Sequence, residues 1–220
     1  MNKKVDIKKL TVTAMFIALA FISIFVMKFK VSFLSFDFKD AILSVISLMY
    51  GPVYGIVSVC IVALLEFPVS STGFYGLIMN IISSGVFALA VGFVYKYKRS
   101  FSGAIISAVS AVVSVTVIMM IANMLITPYY MGTTQEAVVK LIPTLLLPFN
   151  FVKSLMNASV MLIIYKPITA LLKRIGLVKA NESKYKFDLK ALILTVVAVV
   201  ILIASSIFTV LVLNGSIVLF

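Results

Sequence analysis

An all-α bundle of helices crossing a lipid bilayer is the fold class that the sequence predicts, and three observations predict it. Of the 220 residues, 63% are hydrophobic and only 12% are charged, too little polar surface to clothe a water-soluble core. Apolar runs recur at lengths that meet or approach the roughly 20 residues a helix needs to cross a bilayer core. Short clusters of Lys and Arg separate these runs, as expected for loops between spans. The expected organisation is a six-helix membrane domain over residues 1–176, a basic cytoplasmic linker over 177–190, and an additional transmembrane helix with a short tail over 191–220.

The first helix is expected from about Leu10 to Met27, after the Lys3, Lys4, Lys8, Lys9 cluster. The run is too long for the core of a signal peptide and no Ala-x-Ala cleavage site follows it, so it reads as a retained helix. Lys28 and Lys30 open a phenylalanine-rich loop from Phe29 to Asp40. Ala41–Tyr50 and Val53–Leu65 flank Gly51-Pro52, and proline breaks a helix because it lacks the amide donor and clashes with the preceding turn. Two short tilted helices fit this stretch better than one kinked helix, which would far exceed the bilayer thickness. Glu66-Phe67-Pro68 closes the third helix, and Val69–Tyr75 reads as a loop with Ser70, Ser71 and Gly73. A fourth helix is expected over Gly76–Val94, ended by Lys96, Lys98 and Arg99, and a fifth over Phe101–Ile126, ended by Thr127-Pro128. After a loop carrying Glu136, a sixth spans Thr144–Tyr165. The basic segment Lys166–Lys190 follows, and the uncharged run Ala191–Leu213 is the clearest span of all.

Fourteen of the nineteen Lys and Arg residues fall on the side of the N-terminus. The positive-inside rule makes that side cytoplasmic, with the C-terminal Phe220 outside, in the cell membrane. The same rule accounts for the net charge of +12, since the basic residues lie in inter-helix clusters and not along a face with stacking aromatics. Nucleic acid is therefore not an expected partner. The chain has no histidine, and its single cysteine, Cys60, sits in an apolar run. Histidine-based catalysis, metal centres and an internal disulfide are thereby excluded, and no catalytic residue or cofactor is expected. No phosphate-binding Gly-x-x-x-x-Gly-Lys-Ser/Thr loop occurs, so any ATP hydrolysis would belong to partner subunits.

What remains is a set of polar residues near the outer helix ends: Glu66, Asn80, Asn123, Asn150, Lys153 and Asn157. Polar groups in a membrane are costly and are expected to face the bundle interior. Asn150, Lys153 and Asn157 are spaced i, i+3, i+7 and share one helix face. The asparagines could instead tie helices together, whereas Lys153 needs either a partner such as Glu66 or a polar ligand. Small residues also recur at four-residue spacing: Ala14 and Ala18; Ser84, Ala88 and Gly92; Gly103, Ser107 and Ala111. Each set lets helices approach closely, inside the bundle or against a partner.

Four segments carry a family resemblance over about Lys8 to Lys173. They are Ala14-Met15-Phe16-Ile17-Ala18; Phe36-Asp37-Phe38-Lys39-Asp40 with Tyr50-Gly51-Pro52-Val53-Tyr54-Gly55; Asn123-Met124-Leu125-Ile126-Thr127-Pro128-Tyr129-Tyr130; and Leu147-Pro148-Phe149-Asn150-Phe151-Val152-Lys153. In these the chain resembles the substrate-binding S components of energy-coupling factor vitamin transporters, most closely the riboflavin-specific ones. The resemblance implies a six-helix bundle with a vitamin pocket open to the outside, and a transmembrane coupling subunit with two cytoplasmic ATPases as partners. It makes riboflavin the transported ligand, and Ala14 and Ala18 the patch presented to the coupling subunit. The helix from Ala191 to Leu213 is additional to that pattern. A flavin ring presents a carbonyl, N–H, carbonyl edge that a carboxamide can meet with one acceptor and one donor. Asn123 and Asn150 offer such groups, Lys153 can donate to a ring or ribityl oxygen, and Phe36, Phe149 and Tyr129 offer apolar faces. Thr127, Glu66, Asn80 and Asp37 complete the expected substrate site. The competing readings are an S component for another vitamin and a helix bundle acting only as a structural or assembly factor.

Overall fold

A computed structural model describes residues 6–26, 28–174, 176, 189–214 and 216–218. Most of the expected linker, 177–188, lies outside the described residues. Within these described residues eight α-helices follow one another: α1 (Ile7–Val26), α2 (Lys39–Tyr50), α3 (Pro52–Glu66), α4 (Gly73–Tyr97), α5 (Phe101–Met131), α6 (Gln135–Leu141), α7 (Leu147–Arg174) and α8 (Leu189–Leu211). Among the described residues, six helical segments are long and apolar enough to cross a membrane, and α2, at 12 residues, is not one of them.

Ala41–Leu65 forms two helices, as expected. Gly51, at φ +94°, ends α2 and precedes α3, and Pro52 sits at the first position of α3, where its missing amide costs nothing. α4 approaches this turn closely at Gly92, where any Cβ would lie 2.7 Å from Pro52 Cα.

Four sequence expectations need correction. The phenylalanine-rich loop is a hairpin, with β1 (Lys28–Val31) antiparallel to β2 (Leu34–Phe36). Pro128 does not end the fifth helix: one missing hydrogen bond in the final turn is tolerated, and α5 stops only at Gly132, whose φ of +62° is left-handed. The following loop contains α6, capped by Thr134, and a π-helical turn at Ile142–Leu146. Finally, α7 continues to Arg174, so the first part of the basic segment is helical.

Three buried clusters hold the bundle. One joins α4, α5 and α7 around Phe87, Val112 and Met161, and another packs α1 on α2 and α3 around Phe16, Ile46 and Val62. The third joins the hairpin to α7 and to Leu213, just beyond α8. The small-residue sets now separate. Ser84, Ala88 and Gly92 are buried on α4, as are Gly103, Ser107 and Ala111 on α5, but Ala14 and Ala18 are exposed on α1.

The described members of the three basic clusters, among them Lys8, Lys96, Arg99 and Arg174, gather at one end. Lys8 Nζ donates to the carbonyl of Gly176 at 3.0 Å, joining the start of α1 to the end of α7, and Tyr95 near the end of α4 meets Tyr165 of α7. At the opposite end, β3 (Ser216–Val218) pairs antiparallel with β1. The C-terminal strand therefore lies on the hairpin side of the bundle.

Candidate functional site

Between the hairpin and the adjoining ends of α3, α4, α5 and α7 lies a cavity of about 310 Å³, within the size range of small-molecule sites. Helical period sets its α5 wall. Met119, Asn123, Thr127 and Tyr130 recur at three- or four-residue spacing and all line the cavity. From α7 come Phe149, Asn150 and Lys153, from α3 and α4 Glu66 and Asn80, and from the hairpin Lys30 and residues 32–35.

Eight of the ten residues expected in a substrate site line this one cavity: Asp37, Glu66, Asn80, Asn123, Thr127, Phe149, Asn150 and Lys153. Two do not. Phe36 is buried behind the wall and packs on Phe149, with ring centroids 4.5 Å apart. Tyr129 is 74% exposed, because α5 runs on through Pro128 and turns residue 129 away from the face that carries Asn123 and Thr127. The tyrosine on that face is Tyr130, which lies 6.0 Å, centroid to centroid, from Phe33 of the hairpin. Ending the helix at Thr127 hid this; continuing its period through the proline finds Tyr130.

The carboxamides are held in a way that leaves bonding capacity. Asn123 donates to the carbonyl of Met119 at 2.6 Å and accepts from Thr127 Oγ1 at 2.9 Å. Asn150 donates to the carbonyl of Leu146, the last residue of the π-helical turn, at 2.7 Å. A carboxamide has two donor hydrogens and two acceptor lone pairs, so each retains a donor and an acceptor beyond these bonds.

Around them runs a buried ionic network. Asp37 Oδ2 accepts from Lys153 Nζ at 2.9 Å and from Lys39 Nζ at 3.3 Å. Lys39 Nζ also reaches Glu66 Oε2 at 3.0 Å, where Asn80 donates as well. The partner of Lys153 is thus Asp37 and not Glu66, which belongs to Lys39. Lys153 further donates to the carbonyl of Ser35 at 3.3 Å, fastening the hairpin to α7. Lys39, part of the Phe36–Asp40 segment of the resemblance, is not among the residues expected in the site. Its place between Asp37 and Asp40, directly before an apolar run, was the available signal.

Asn157 lies on the same face of α7 as Asn150 and Lys153 but does not line the cavity. It donates to the carbonyls of Asp37 and Lys153 and accepts from the backbone N–H of Ala41 at 2.9 Å. It satisfies a free amide in the first turn of α2 from another helix, a cap supplied in trans. Its role is the tie between helices.

Burial alone would push the Asp37 carboxyl up, but the Lys153 and Lys39 ammonium groups hold it well below the usual carboxylate range. A depressed folded value contributes stability that is present above the unfolded value, about 3.9, and is lost as pH falls toward the folded one. The contribution of Asp37 to stability in detergent should therefore hold between about pH 7 and pH 5 and decline below about pH 4. Chemical unfolding at a series of pH values checks this, and the decline should be shallower in Asp37→Asn.

Helix order, the short α2 and a half-open cavity beside the hairpin define a polytopic membrane protein with room for a small molecule. The profile for ECF transporter substrate-specific components matches residues 8–168, and the chain belongs to that family. It is 28% identical over 178 residues to the riboflavin transporter RibU of Staphylococcus aureus (strain TCH60), covering 76% of this chain and 94% of that one. It is 28% identical over 173 residues to the riboflavin transporter FmnP of Bacillus subtilis (strain 168), covering 72% and 90%. The solved S component of a bacterial ECF transporter superposes with a TM-score of 0.66 at 27% identity, over 76% of this chain and 98% of that one. The family match ends before α8.

Proposed function

We propose that this chain captures riboflavin in the cavity between the hairpin and helices α3, α4, α5 and α7, and passes it to an ATP-driven partner complex. One observation carries the proposal. Asn123 on α5 and Asn150 on α7 line one cavity beside the Phe33–Tyr130 pair and Phe149, each with a donor and an acceptor to spare. That set suits a flat ring with a carbonyl, N–H, carbonyl edge, while Glu66, Asn80 and the hairpin serines suit a polyhydroxyl side chain. The names of both curated relatives agree with this choice. A purely structural bundle would have no use for a cavity lined by unspent carboxamides.

The bound molecule enters from the hairpin side, which we place outside the cell membrane, with the N-terminus cytoplasmic. The gathering of the basic clusters at the opposite end supports this orientation. Hydrolysis of ATP, for which the sequence has no phosphate-binding loop, falls to two ATPase subunits reached through a transmembrane coupling subunit.

Calorimetric titration with riboflavin tests the assignment. Asn150→Ala and Tyr130→Ala should each weaken binding by about 1–3 kcal/mol, the first by leaving a buried polar edge unpaired and the second by removing an aromatic face. Tyr129→Ala, on the outer face of the same helix turn, should bind as the parent does. Parental affinity in both cavity variants would move the site elsewhere.

A further inference from the structure

The segment after the family match returns to the site. α8 packs along α7 with a narrow stripe: Ala198, Ser205 and Thr209 are buried at near-heptad spacing, and most of the remaining surface is exposed. Just past its end, Leu213, 9% exposed, joins Val31, Phe36, Phe149, Val152 and Met156 in one apolar cluster. β3 then pairs with β1 in the register Lys28↔Val218, Phe29↔Ile217, Lys30↔Ser216. β1 is thereby the central strand of a three-stranded sheet ordered β2-β1-β3.

A two-stranded hairpin is marginal by itself, and a third strand with an apolar face stabilises it. This hairpin is a wall of the cavity, to which it contributes Lys30, Ser32, Phe33, Leu34 and Ser35. From α7 it is held by Lys153, and from the C-terminal segment by a strand and a packed leucine.

We propose that α8 and β3 act as a clasp that positions the β1–β2 hairpin over the cavity and slows escape of the bound molecule. Leu213 is a positioning residue. It lies outside the cavity lining and packs with Phe36 and Phe149, of which Phe149 is part of that lining. The inference rests on reading the cavity as the riboflavin site.

The test uses the full chain. Ser216→Pro with Ile217→Pro removes backbone donors at two successive positions, so one of them falls at a hydrogen-bonded place in the antiparallel ladder whichever its phase. Hydrogen exchange across residues 28–36 should accelerate, and riboflavin dissociation, followed by recovery of flavin fluorescence, should be about tenfold faster. Leu213→Ala should shift both readouts in the same direction from the packing side. Unchanged exchange across 28–36, or faster exchange with an unchanged dissociation rate, overturns the clasp. Should the proline pair unfold the chain, Leu213→Ala carries the test, and unaltered readouts there overturn the clasp equally. Asn150→Ala separates the two levels. If it weakens binding while the clasp variants leave dissociation unchanged, the clasp alone fails; if neither it nor the proline pair affects riboflavin binding, the site reading fails with it.

Discussion

Asp37→Ala should destabilise the detergent-solubilised chain by about 3–5 kcal/mol, the range for breaking a buried ion pair from one side. The loss is large because the carboxylate serves two cations. Among the described residues Lys153 loses its one ion pair, and Lys39, itself buried, keeps the pair with Glu66. Lys39 is almost wholly buried and Lys153 largely so, and neither ammonium regains full hydration in place. Riboflavin binding should fall with stability, because Lys153 would no longer hold both the hairpin and the head of α2 in place. Replacing the rest of the network as well, in Asp37→Ala with Lys39→Met, Lys153→Met and Glu66→Gln, should recover much of the stability, since a neutral cluster of similar volume substitutes for a buried ionic one at little cost. Unfolding of the three proteins side by side is the measurement. A single variant as stable as the parent would show that water reaches the network.

Ala14→Trp combined with Ala18→Trp should abolish riboflavin uptake by the assembled transporter while leaving binding by the isolated chain intact. Both alanines are exposed on α1, one turn apart, among Met15, Leu19 and Ile22, which are exposed too. Two indoles at these positions overfill nothing inside the bundle. They do prevent the close backbone approach that small residues permit, and it is that approach which we assign to the coupling subunit. Co-purification with the coupling subunit should be lost together with uptake. Retained uptake would sink the docking assignment, whereas loss of riboflavin binding would show that the face is internal after all. The parent chain reconstituted without partners should bind riboflavin and accumulate none.

The helices were legible wherever local chemistry settles the matter. Gly51-Pro52 announces a break because the left-handed φ and the missing amide act within one turn. Pro128 misled for the converse reason: a proline in the last turn removes only one bond, and the stop signal was Gly132 four residues later. Most of the cavity wall could be read because a costly polar residue in an apolar helix has few reasons to be there. Partner choice could not be read. Whether Lys153 meets Asp37 or Glu66 depends on where the hairpin folds back, and the hairpin depends on a strand 186 residues further along the chain. Nor could spacing distinguish Asn157 from Asn150, because both lie on one face of α7 and only their depth relative to α2 separates a helix cap from a cavity wall.

The twelve residues of α2 carry a consequence for the path across the membrane. At 1.5 Å per residue the helix rises about 18 Å, against a hydrocarbon layer of roughly 30 Å. Alone, α2 leaves about 12 Å of such a layer unspanned, and the hairpin, the ionic network and the cavity lie at its N-terminal end. A molecule held there has already covered part of the crossing without any expenditure of ATP. Next to it the packing is dry: Ala41 and Leu48 of α2, at 0% and 6% exposure, share a buried cluster with Met119 of the cavity wall. Onward release therefore requires those side chains, or the helix that carries them, to move as a body.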